Sequence, residues 1–432
     1  MRKFFWVGVL VLVLSGTAAF AGDGIPMGNA IFYPSVEAVY THTDNLFLLD
    51  KNEPFGDYAD NYWIIRPSIG WEFPMKESYV KFNLSYQYKD YDKYNIDTHD
   101  SWFADFDSNF KFQNGGAIYF RNHFVSGVTE VNQFDPNYEA TFGNARFFRE
   151  YAQLGFHLPV NRLNTFGFEA NYNSVDFTDS PRGQYLPFFG YTQWQGILSW
   201  KYHYRPNGSW TADYTYSDSQ DRSNKYNYTL MTLDKKYRGN QLMVGWEGDV
   251  NHRMTGFAKI GYGALRFSNN IYNDFSGVVA EAGLGFKFAE FVRGDLDLYR
   301  RASQSAFNVN NYYTATGGQF QVHHQVTKYF FWTAGLMYQE NRYPEAIKSD
   351  VNGDGWADSV LFLATKGQTR HDSITRALGE VGFHFTQQLS LRLNYQYEDR
   401  NSNVNYMDVL GLVHHPYSYT ENRFSFQVLL GW

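Results

Sequence analysis

The stretch "SDVNGDGWADSV" places oxygen-bearing residues at alternate positions: Asp350, Asn352, Asp354 and Asp358, with Gly355 at a sharp turn and Trp356 offering a backbone carbonyl. Oxygens at relative positions 1, 3, 5, 7 and 9 wrap a hard cation of calcium size. The EF-hand form adds a bidentate acid at position 12, where this chain has Leu361. The spacing therefore predicts a structural calcium in loop 350–358, held by one acid fewer and stiffening the loop without doing chemistry. The alternative is an acidic, glycine-rich surface turn with no ion, and no cofactor is required. Other constellations carry less. His323-His324 and His414-His415 are adjacent pairs, and neighbours on a strand point to opposite faces. No G-x-S-x-G nucleophile motif occurs, so an enzyme is not expected.

The elements that must position these residues are strands. "VKFNLSYQY" alternates Val80, Phe82, Leu84, Tyr86 and Tyr88 with Lys81, Asn83, Ser85 and Gln87, and "LSLRLNYQYED" does the same from Leu389 to Tyr397. Strict period two over nine or more residues marks a strand with one apolar and one polar face. Eighteen such segments follow one another, from 33–43 and 61–74, through 313–326, 328–340 and 373–386, to 388–399 and 421–432. Their connections alternate. Short turns such as "NGG" (114–116) and "PNG" (206–208) alternate with long polar loops such as 44–60, 127–146, 341–372 and 400–420. An even number of dyad strands with one short-turn side and one long-loop side is the plan of an all-β, antiparallel transmembrane barrel of the outer membrane. A soluble sandwich would use strands of about 5–6 residues, and a propeller would show blade repeats.

The chain opens with Arg2 and Lys3, an apolar run from Phe4 to Leu14, and Ala19-Phe20-Ala21. That run is short for a membrane span and fits a signal peptide over 1–21. A periplasmic segment over 22–32 and a single barrel domain over 33–432 follow. Removal of the peptide moves the formal charge from −7 to −9, which speaks against nucleic acid as a partner. Cysteine is absent, and aromatic residues make up 20%. Rings on the apolar face gather near both strand ends, Trp71, Trp210 and Trp332 on the short-turn side and Trp63, Trp102 and Trp194 on the other. Two aromatic girdles around an aliphatic band match the two interfaces of a bilayer. The expected location is the outer membrane of a Gram-negative-type bacterium, with membrane lipid around the barrel. The closing stripe Phe424, Phe426, Val428, Leu430 and Trp432 resembles the signal that such barrels present to their assembly machinery.

Eighteen strands leave an aqueous channel. The polar-face positions expected to line it include Tyr79, Lys81, Phe103, Tyr119, Arg121, Tyr151, Lys259, Glu281, Arg293, Asp295, Asp297, Tyr299 and Arg392. Acids and bases nearly balance, so no single-sign selectivity ring is evident. Inward aromatics either stack on sugar faces or pack against a plug.

Two resemblances add to this reading. The acidic loop resembles the D-x-N-x-D-G-x-x-D calcium loops of integrin-type propeller repeats. "SVEAVYTHTDNLFL", "DNYWIIRPSIGWEF" and "YVKFNLSYQYKDYDKY" together resemble a β-barrel porin family associated with exopolysaccharide export. The matching positions are Asp44, Asn45 and Phe47, then Asp60 and Pro67, then Tyr86, Tyr88 and Tyr91. The resemblance implies a pore through which a polysaccharide leaves the cell, with periplasmic export proteins as partners. Two other readings stand beside it: a general or sugar-uptake porin, and a surface-structural or adhesin scaffold. Pro67 lacks an N–H and is expected to mark a bulge in its strand.

Overall fold

In the computed structural model, the described residues are 24–46, 48, 59–94, 99–128, 146–179, 190–221, 236–268, 273–305, 310–346, 369–404, 406–407, 413–414 and 418–431. The expected signal peptide over 1–21, Phe47, the acidic run 350–358 and Trp432 lie outside them.

The eighteen long strands follow from the alternation over most of their length. The chain begins with β1 (Ile25–Met27), β2 (Ala30–Thr43), β3 (Asp60–Pro74), β4 (Tyr79–Tyr91), β5 (His99–Lys111), β6 (Ala117–Val128), β7 (Arg146–Pro159) and β8 (Asn164–Asp179). It continues with β9 (Tyr191–Arg205), β10 (Gly208–Asp221), β11 (Tyr237–Asn251), β12 (Met254–Phe267), β13 (Phe275–Ala289), β14 (Val292–Gln304) and β15 (Tyr312–Gln325). The last are β16 (Phe330–Ala346), β17 (Thr369–His384), β18 (Leu389–Ser402), the short pair β19 (Tyr406–Met407) and β20 (Val413–His414), and β21 (Tyr419–Gly431).

Each strand from β2 to β17 pairs antiparallel with the next, β18 pairs with β21, and β21 pairs with β2 through Ser35↔Gly431 to Thr43↔Arg423. The result is a closed ring of eighteen strands, which satisfies the backbone polar groups of the ring internally. Part of the expected N-terminal segment joins the sheet: β1 folds back on β2 around Gly28, whose φ of 64° suits a two-residue turn.

The apolar face points outward. Trp102, Trp194, Leu242, Ile260, Leu298 and Leu336 are each more than 40% exposed, as side chains facing acyl chains must be. On the short-turn side Tyr204 lies 6.3 Å from Trp210 and accepts a 2.9 Å hydrogen bond from Trp246 Nε1. On the long-loop side the ring pairs Tyr40–Trp63, Tyr86–Trp102 and Tyr172–Trp194 have centroids 4.7–4.8 Å apart.

Two expectations change. Strands reach further on the long-loop side, β16 to Ala346 and β18 to Ser402, and β17 begins at Thr369. Above the bilayer the outward positions need not be apolar, so Glu340, Arg342 and His371 occupy them and the alternation fades before the ladder does. Pro67 does not create a bulge. Ile65↔Tyr88 and Ser68↔Ser85 keep one register on either side of it. The proline interrupts β3–β4 pairing without inserting a residue, and Arg66 Nε spans the break with a 3.1 Å bond to Gln87 Oε1.

Candidate functional site: the barrel lumen

Register fixes which side chains share the inner face. Tyr79, Lys81, Phe103, Tyr119, Arg121, Tyr151, Lys259, Glu281, Arg293, Asp295, Asp297, Tyr299 and Arg392 all occupy positions opposite to the exposed apolar ones on their strands. They do not converge on one point; they are spread around the wall from β4 to β18.

Three of them act through a feature that sequence reading missed. Tyr119 on β6 is paired with Gly155 on β7, which is paired with Glu169 on β8. The phenol lies across the glycine and donates a 2.6 Å bond to Glu169 Oε2. A Cβ at Gly155 would sit 2.3 Å from the Tyr119 ring. Lys259 on β12 crosses β11 at Gly245 in the same way, bonding Asp213 Oδ2 at 2.9 Å and standing 3.5 Å from Glu281. Tyr299 on β14 crosses Gly317 on β15 to reach Gln339 on β16. Phe331 on β16 likewise covers Gly382, with the Arg392 guanidinium 5.7 Å from its ring centre. A missing Cβ at the middle strand lets a long side chain lie flat against the wall, so these joints tie three strands together.

Charges along the mid-lumen are matched strand to strand. Arg66 pairs with Glu37 at 3.1 Å, Lys81 with Glu72 at 3.1 Å, Lys201 with Glu247 at 2.6 Å, and Arg121 with Asp107 at 3.5 Å. Asp105 and His123 pair directly. A cavity of about 710 Å³ opens along the wall between β6 and β14, bordered by Tyr119, Glu169, Lys201, Tyr237 and Lys259. On one arc of the short-turn end, from β13 to β15, basic side chains adjoin one another. Lys287 faces Arg293, which faces His323, on three successive strands.

The long-loop end is different. Arg370 donates to both carboxylate oxygens of Asp372, the shortest bond being 2.7 Å, and Arg400 adds a 2.6 Å bond. All three side chains are 0–1% exposed. Arg376 Nε and the Tyr419 hydroxyl reach Glu398 at 2.7 and 2.6 Å, and Thr43 reaches Glu421 at 2.8 Å. This network runs from β17 through β18 and β21 to β2, across the seam where the barrel closes. Its members fell within the loops expected at 341–372 and 400–420 or beside them. The alternation Arg370, Asp372, Ile374, Arg376 is a period-two signal that could have revealed it.

The family-motif residues also work at strand ends. Asp44 accepts the backbone N–H and side-chain amide of Asn422, both at 2.7 Å, and Asn45 Nδ2 donates to the Thr420 carbonyl at 3.0 Å. Asp60 accepts the N–H groups of Asn61, Lys93 and Tyr94. Asp44 and Asn45 thus tie first strand to last, and Asp60 ties β3 to the end of β4. Among the described residues no group of three or more His, Asp or Glu side chains could hold a metal ion.

A family model described as Putative beta-barrel porin 2 matches residues 18–413. No curated protein matches the chain in sequence. Among solved structures, the chain is similar to OccK2 (OpdF) of Pseudomonas aeruginosa, with 9% identity and a TM-score of 0.45 over 93% of this chain and 98% of that one. OpdQ of the same organism gives 7% identity and 0.45 over 94% and 100%. The ferric enterobactin receptor PfeA gives 10% identity and 0.47 over 92% and 81%.

Proposed function

Because the chain belongs to the Putative beta-barrel porin 2 family, we propose that it is a non-enzymatic outer-membrane channel whose cargo is an exported exopolysaccharide. The observation that supports this reading is the chemistry of the mid-lumen. Most cations there hold a carboxylate on a nearby strand, so the wall offers hydroxyls, amides and ring faces with little net field. Such a surface suits a hydroxyl-rich chain that must slide without being held. The basic end at Lys287, Arg293 and His323 would draw in acidic sugar units from the periplasmic side, where export proteins deliver them.

The long-loop network would make the resting pore narrow at its outer end. A sugar-uptake porin is the second reading, favoured by the roomy cavity beside Tyr119 and Lys259. Deletion of the gene tests between them. Export predicts polysaccharide retained in the periplasm, whereas undiminished secretion together with steady passage of small sugars through the purified barrel overturns it. The acidic run Asp350 to Asp358 remains a proposed calcium loop, to be tested by calorimetric titration of the purified protein against an Asp354→Asn variant.

A further inference from the structure

The outer wall carries a recess that the transport reading does not use. A groove of about 870 Å³ crosses the lipid-facing surface from β9 to β15. Its floor is small, made by Ala212, Ala258, Ala280 and Ala282, and Trp200, Trp210 and Trp246 stand at one end. Register gives its course: Trp200, Ala212, Val244, Ile260, Ala280 and Arg300 are successive cross-strand partners. In a tilted barrel such a row runs diagonally, here from the short-turn girdle up to Arg300.

Arg300 points outward, between Ala280 and Thr316 on the flanking strands. Nine residues separate it from Phe291 in the short-turn girdle, a height of about 23 Å at a rise of ~3.3 Å per residue and a tilt of ~40°. The apolar band of such barrels is ~25 Å tall, so the guanidinium stands at the level of the outer headgroups. Its Nε bonds the Val278 carbonyl at 3.2 Å, and it forms no ion pair among the described residues. Two other outward cations on this side hold acids, Arg238 with Asp218 at 3.3 Å and Arg342 with Glu340 at 2.9 Å. Arg266, opposite Arg238 on β12 and outside the groove, forms no ion pair among the described residues.

We infer that this groove is a binding site for one anionic, phosphate-bearing lipid of the outer leaflet. Its acyl chains lie over the alanine floor, and its phosphate meets Arg300. The guanidinium fork matches phosphate geometry, while the outward acids Asp218 and Glu340, which a second barrel seated here would bring, already hold Arg238 and Arg342.

The test is native mass spectrometry of the detergent-purified barrel after incorporation into phosphatidylcholine nanodiscs doped with lipid A. Wild type should retain one lipid A in preference to phosphatidylcholine. Arg300→Gln should lower that occupancy about tenfold, the loss of one charge-assisted contact. Ala280→Trp, which fills the floor, should lower it as well. Arg301→Gln alters the inward neighbour, stacked 4.4 Å from the Tyr299 ring, and should leave occupancy unchanged. Heat-modifiable gel mobility verifies that each variant is folded. Equal retention by Arg300→Gln and wild type, equal retention of phosphatidylcholine, or lipid-free dimers or trimers would each overturn the assignment.

Discussion

Two parts of the lumen use the same side chains to opposite ends. In the mid-lumen, Lys259 and Asp213 are about one-fifth exposed and Arg121 about half. At the long-loop end, Arg370, Asp372 and Arg400 are sealed from solvent. Water screens the first set, so its ion pairs contribute little stability and mainly shape the field that a solute meets. The second set has lost its hydration, and each charge there depends on its partners. One region therefore lines the lumen with screened charge, and the other is a clasp that holds the closing seam.

Removing Asp372 should break the clasp most severely. Asp372→Ala leaves Arg370 and Arg400 buried side by side without their shared carboxylate, and losing one member of such a group costs about 3–5 kcal/mol. The urea midpoint of the reconstituted barrel, followed by gel mobility, should fall accordingly. A midpoint within error of wild type would mean that the two ends of the lumen do not differ in the way described.

Gly245→Val probes the mid-lumen wall at a close strand contact. The added Cβ would meet the Ala258 carbonyl oxygen at 2.2 Å and Lys259 Cγ at 2.6 Å. Overpacking of this kind costs about 1–3 kcal/mol and lifts Lys259 off Asp213. Lys259→Gln, in contrast, removes the charge without touching the backbone. Its stability effect should stay within about 1 kcal/mol, while Asp213 and Glu281 lose their cation. The reversal potential in a salt gradient should move toward cation selectivity; movement toward anions, or none, would show that Lys259 does not face the conducting path.

These outcomes bear on what the sequence could reveal. The bilayer imposes apolar residues at every second position, so the strands between the girdles were legible from Val80 or Leu389 onward, as was the inner placement of Tyr119 and Lys259. Above the girdle that pressure ends. Glu340 and His371 face outward and Arg370 and Asp372 inward, and a segment polar on both faces reads as a loop. The glycine joints were hidden for another reason. Gly155 matters only because Tyr119 and Glu169 flank it on separate strands, a relation set by register across three strands and invisible along one. Asp44 and Asn45 were visible as a motif, but their contact with Asn422 and Thr420 required knowing that the barrel closes there.

The smallest effect should come from Arg121→Gln. Arg121 and Asp107 are 55% and 37% exposed and 3.5 Å apart, a pair of the kind that contributes ~0.2–1 kcal/mol or nothing measurable. The urea midpoint should therefore barely move. Conductance is the sharper reading, because the freed Asp107 carboxylate attracts cations over about a Debye length, ~10 Å at 0.1 M salt but only ~3 Å at 1 M. Cation preference should rise at 0.1 M and fade at 1 M. If the shift persisted undiminished at 1 M, solvent would not be screening the pair, and the mid-lumen wall would resemble the clasp more than a water-filled channel.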